Sequence, residues 1–140
     1  MAIWPKSRGR IELEVVMAQV TALAVDEAIR VDARRVGDIV NELGESAAHN
    51  VIVMALEQLA VLLMQVEAAL AVGDLAEAIA MSERLSRLAW QIGLPSLAGV
   101  AIDVATCAER RDMASLASVR ARLTRVGNRS LTEIWDCSRG

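Results

Sequence analysis

The chain has 140 residues, 54% of them hydrophobic, a net charge of −3 and three aromatic side chains, Trp4, Trp90 and Trp135, with no Tyr or Phe. That length fits one domain with a real core, and the apolar content excludes a disordered chain, which is poor in such residues and rich in net charge. Three rings are too few for an aromatic platform under single-stranded nucleic acid, and the mild negative charge gives no global reason to expect a polyanionic partner.

Ala, Leu and Val supply most of the apolar mass, which suits helices better than strands. Residues 1–10 read as an arm, with Pro5, Gly9 and the basic Lys6, Arg8 and Arg10. From Ile11 to about Val31 apolar residues are dense. Ile11, Leu13 and Val15 alternate briefly, but Val16, Val20, Leu23 and Ala24 fit helical spacing better. Asp32 is placed to cap a helix in which Val36, Ile39, Val40 and Leu43 follow the i, i+3, i+4, i+7 pattern, with Gly44 at its stop.

A polar link over 45–50 leads into Val51–Val72, which holds eighteen apolar residues in twenty-two. Glu57, Gln58, Gln65 and Glu67 interrupt that run, and a charge at a bilayer centre costs roughly 2.5–3.5 kcal/mol. The expectation is therefore a central helix covered nearly all round by protein, not a membrane span. Asp74 with Glu77 forms a D-x-x-E capping box. It opens a helix to about Ile92, with Leu75, Ile79, Leu85, Leu88 and Ile92 as its apolar side. Gly93 stops it, and Pro95 suits the first turn of the next helix, which carries Leu97, Val100, Ala101 and Val104. Asp112 caps a last helix with Leu116, Val119, Leu123 and Val126. Residues 127–140 remain as a tail with a small amphipathic stretch, Leu131, Ile134 and Trp135. Met17, Met54, Met64, Met81 and Met113 read as adaptable core filler.

Short polar joints between apolar helices make antiparallel neighbours. The expected fold is all-α: an up-and-down antiparallel four-helix bundle over 50–126, an extra N-terminal helical segment over 11–49, an arm at 1–10 and a tail at 127–140. The N-terminal segment either caps the bundle or pairs with a second copy, and Val15, Val16, Val20 and Leu23 motivate a homodimer.

A shift of 38 residues lays Val66, Asp74, Ala76, Arg84, Leu85 and Arg87 on Val104, Asp112, Ala114, Arg122, Leu123 and Arg125. Two-helix repeats of such a period point to a tetratricopeptide-like adaptor with a peptide-binding groove. Two helices that both start at a capping Asp produce the same echo, and a solenoid usually needs about three copies.

Cys107 and Cys137 have no CxxC spacing, and His49 is the only histidine. A zinc site needs about four clustered ligands, so no metal or cofactor is expected. A disulfide framework is not expected either, which favours a reducing, cytoplasmic compartment, and no apolar stretch of signal-peptide length follows the N-terminal charges. The eight glycines fall singly, so there is no phosphate-binding loop. No serine has a histidine partner other than His49, and no paired acids stand out for acid–base work. The chain is not expected to be an enzyme.

Three groups are candidates for contact. Glu83, Arg87 and Trp90 share one helix side; Glu83–Arg87 is a favourable i, i+4 pair, and Trp beside Arg has the composition of an interface hot spot. The plainer account is a solvated ion pair next to a half-buried Trp. Arg122, Arg125 and Arg129 share another side, with Arg120 nearby. They could hold phosphate or an acidic partner, such as the base-free 50–83 stretch of another chain, or simply form the solvated face of an amphipathic helix. His49, within Ala47-Ala48-His49-Asn50, is a polar residue at a helix start or a phosphoacceptor.

The run Glu83-Arg84-Leu85-Ser86-Arg87-Leu88-Ala89-Trp90-Gln91-Ile92-Gly93, continuing through Leu94-Pro95-Ser96-Leu97-Ala98, resembles the histidine phosphotransfer domain of bacterial phosphorelays, whose motif reads roughly H-x-L-K-G-x-A-x-x-x-G. Leu85, Ala89, Ile92, Gly93 and Leu97 match the family's structural positions, and the R-x-D turn with the helix after it (Arg110–Val126) matches its general shape. The resemblance spans about Ala60–Val126. It implies a four-helix bundle in signal transduction, with a receiver domain or a kinase as partner. The chemistry departs from the pattern: Glu83 stands at the phosphorylated histidine, Ser86 at the lysine and Arg87 at the small glycine. The resemblance thus implies a degenerate member that binds a protein partner without relaying phosphate. An active phosphotransfer protein using His49 is the alternative.

Overall fold

The computed structural model describes residues 29–138. The described residues form five helices and no strand: α1 (Ala33–Leu43), α2 (Glu45–Ala71), α3 (Leu75–Ile92), α4 (Pro95–Glu109) and α5 (Met113–Ser138). The protein is all-α over this range. The arm expected at 1–10 and the apolar residues Val15, Val16, Val20 and Leu23 lie outside it.

The helix boundaries have local causes. The carboxylates of Asp32, Asp74 and Asp112 accept from first-turn amides, of Arg34 and Arg35 (3.1 and 3.2 Å), Glu77 (3.1 Å) and Ser115 (3.1 Å), satisfying donors that a helix start leaves orphaned. The reciprocal half of the expected capping box is replaced, because the Asp74 amide donates to the Ala69 carbonyl at 2.9 Å. That bond is one of three alike. Leu94 donates to Ala89 at 2.8 Å and Asp112 to Cys107 at 3.1 Å, so α2, α3 and α4 all end in the same Schellman-type turn. The residue before each donor has positive φ: Gly73 (+75°), Gly93 (+92°) and Arg111 (+53°). The echo at 38 residues includes this turn and cap, with Gly73-Asp74 matched by Arg111-Asp112.

Side chains from four helices meet in one core. Ile52, Leu59 and Val66 of α2, Leu85 of α3, Leu97, Val100 and Val104 of α4, and Leu123, Val126 and Ile134 of α5 are fully buried, each contributing roughly 1.5–3 kcal/mol. α3 packs on α2 and α4, α4 on α5, and α5 returns to α2. α1 lies on α2, touches α5, and adds Val36 and Ile39 to the core.

Several expectations are corrected. Residues 45–50 are not a link; they are the first turns of α2, with Ala48 buried. α2 is not covered all round. It is long and apolar enough to cross a membrane by length and composition, yet only 22% of its most apolar window is buried. Val51, Met54 and Val61 are exposed along it. Its apolar residues exceed what one packed side uses, and α3 and α4 take the central place. Met81 is core, but Met54 and Met113 are exposed. The last helix does not stop at Val126. It runs on to Ser138 and buries Ser130 and Ile134. Gly127 is no helix stop: a Cβ there would lie 3.1 Å from both Leu63 methyls, so this glycine lets α5 approach α2 closely.

Candidate functional site

The outer side of α3 carries the first group of candidates. Trp90 is 69% exposed, Arg87 is exposed and Glu83, midway along the helix, is half-buried. Ser86 turns the other way. It is buried, and its Oγ donates to the Ala98 carbonyl at 2.9 Å. Ser86 therefore ties α3 to α4.

The segment before α1 comes to rest at the α3–α4 turn. The Asp32 amide donates to the Gly93 carbonyl at 2.7 Å, the Arg30 amide to Ser96 Oγ at 2.8 Å, and Arg35 Nε to the Gln91 carbonyl at 2.9 Å. Between the two elements lies an open cleft of about 650 Å³, with Arg30, Arg34, Arg35, Trp90, Gln91 and Pro95 among its lining residues. Arg35 is anchored by Gln91. Among the described residues, Arg30 and Arg34 have no carboxylate partner. Among the described residues, Asp32 is the one acid lining the cleft, and its Oδ1 is engaged by the Arg34 and Arg35 amides. Sequence reading found Trp90 but missed these arginines. The nearest signal was the Arg34-Arg35 pair just after a capping Asp.

No protein-family model, curated protein or solved structure matches this chain.

The arginines of α5 are engaged. Arg120 forms a fork with Glu67 of α2, Nε lying 2.9 and 3.2 Å from the two carboxylate oxygens and Nη2 2.7 Å from Oε2. The hydrogen bond to that carboxylate raises the Arg120 pKa above its ordinary value. Arg129 pairs with Glu133 at 2.7 Å and Arg122 with Asp103 at 3.6 Å. Arg125 also has a partner. The expected stripe of Arg122, Arg125 and Arg129 is thus built into ion pairs and contacts along and beside α5.

His49 is exposed in the first turns of α2, its ring tilted 48° against Trp135 at a centroid distance of 5.7 Å. Trp135 therefore packs at the start of α2. Cys107 is half-buried, Cys137 is exposed, and both are free thiols. Among the described residues, no group of three His, Cys, Asp or Glu is placed to hold a metal ion.

Proposed function

We propose that this protein is a non-enzymatic interaction module: an up-and-down four-helix bundle, α2–α5, capped by α1, which engages a protein partner through the outer side of α3 and the adjoining cleft. The observation that carries the reading is Trp90, a large apolar side chain that stays exposed where it lines the cleft with Arg34 and Arg35 of α1. Trp and Arg dominate interface hot spots.

The helix packing supports a bundle over a tetratricopeptide-like solenoid. α5 returns to α2, three elements back, while α2 with α4 and α3 with α5 make no substantial contact. A solenoid stacks each unit on the next and would bring alternate helices together. Glu83 at the acceptor position supports binding without phosphate relay, since a carboxylate lacks the nucleophilic imidazole nitrogen of that chemistry. The resemblance points to a receiver domain or kinase in bacterial signalling as the partner. The reading places the protein in a reducing, cytoplasmic setting, on the ground that its two cysteines lie thirty residues apart with no CxxC spacing. Self-association belongs to the same reading, and light scattering giving twice the monomer mass at micromolar concentration would support it.

The deciding experiment incubates the full chain with a phosphorylated receiver domain. Complex formation that fails in Trp90→Ala, with no label on the protein, is the expected result. Label on the wild type that disappears in His49→Gln would overturn it and assign phosphotransfer to His49.

A further inference from the structure

The α1–α3 cleft differs in charge from the molecule around it. The chain is acidic overall, yet three arginines line this cleft, and Asp32, the one acid among its described lining residues, is engaged in capping a helix. Guanidinium groups present forked donors that match carboxylates two bonds at a time. Beside them the indole of Trp90 offers an apolar plane. The volume lies within the range of ligand-sized sites, about 300–1,000 Å³.

We infer that this cleft receives a short acidic segment of a partner protein, whose carboxylates pair with Arg30 and Arg34 while a neighbouring apolar side chain packs on Trp90. The inference rests on the interaction-module reading and names the partner's chemistry. A protein segment fits better than nucleic acid for two reasons. A single indole gives no run of stacking positions for successive bases. Glu83 also stands two turns before Trp90 on the same side of α3, so a polyanion running along that helix meets a like charge. A short segment confined to the cleft does not.

The test uses the full chain and a fluorescein-labelled octapeptide of glutamates with one central leucine, read by anisotropy at low salt. Glutamine and lysine counterparts and a thymidine octanucleotide serve as comparisons. The expected result is saturable binding of the acidic peptide that weakens with salt and falls about tenfold in Arg30→Ala/Arg34→Ala, the combined loss of two solvent-screened ion pairs. Trp90→Ala should weaken it as well, and Arg122→Ala should leave it unchanged. Acidic-peptide binding that survives the double substitution overturns the assignment. Equal or tighter binding of the glutamine or lysine peptide overturns the acidic class but leaves the interaction reading standing. Preference for the oligonucleotide, or no binding of any probe, also overturns the inference, while the receiver-domain experiment judges the interaction reading separately.

Discussion

The amide of Asp32 donates to the carbonyl of Gly93 at 2.7 Å, and the carbonyl oxygen of Asp32 lies only 3.0 Å from where a Cβ on Gly93 would stand. The contact holds α1 to the α3–α4 turn and so shapes the arginine–tryptophan cleft. Gly93 is suited to it twice, by its φ of +92° and by having no side chain. Gly93→Ala should cost about 2 kcal/mol or more, the left-handed conformation alone accounting for roughly 1–2. Gly73→Ala is the control, because it has the same handedness with open space around it. Urea unfolding should rank Gly93→Ala as the more destabilising of the two.

Two buried hydroxyls, Ser82 Oγ and Ser130 Oγ, have no hydrogen-bond partner among the described residues. A buried polar group left unpaired costs about 1–3 kcal/mol. Ser82→Ala should raise stability by about 1 kcal/mol, whereas Ser86→Ala, which removes the bond to Ala98, should lower it by a similar amount. Opposite shifts in unfolding midpoint check the pair.

Asp112 caps α5, and its carboxyl is held below its ordinary value of 3.8, first by the side-chain hydrogen bond with Ser115, then by the Ser115 amide, with Arg110 adding a smaller attraction. The carboxylate form is thus favoured by folding. Its stabilising contribution is present above pH 3.8 and is lost as pH falls through the lower folded-state value. Asp112→Asn should flatten the acid limb of the stability profile below pH 4 without altering its neutral region to the same degree. Unfolding followed between pH 6 and pH 2 measures it.

The Arg120–Glu67 fork joins α5 to α2, but both side chains are well over a third exposed, at 40% and 38%. Solvent screening reduces such a pair to about 0.5–1 kcal/mol. A double-mutant cycle through Arg120→Ala and Glu67→Ala should return a coupling of that size, decreasing with added salt. The longer, more exposed Arg122–Asp103 pair should return close to none.

Helix type, helix order and most boundaries were legible because they depend on residues two to five apart. Asp32, Asp74 and Asp112 cap through amides two or three positions ahead, and Gly93 ends α3 through bonds to the preceding turn. Apolar spacing likewise marked the packed sides, from Val36 and Ile39 to Leu116 and Leu123. Gly127 shows the limit of local reading. A single glycine near the end of an apolar pattern is a stop signal in isolation, but here its missing Cβ admits Leu63, and α5 continues for eleven more residues to Ser138.

Chain order and local chemistry thus determined an all-α fold over the described residues and where most of its helices begin and end. Only the tertiary structure decided that α2 buries one side and exposes another, that Trp135 meets His49, and that Arg30 and Arg35 reach residues 66 and 56 positions away to form a cleft with Trp90. The reason is range. Caps and periodicity arise from bonds within one or two turns, whereas the cleft depends on how separate helices rotate and pack against one another, which no spacing along the chain records.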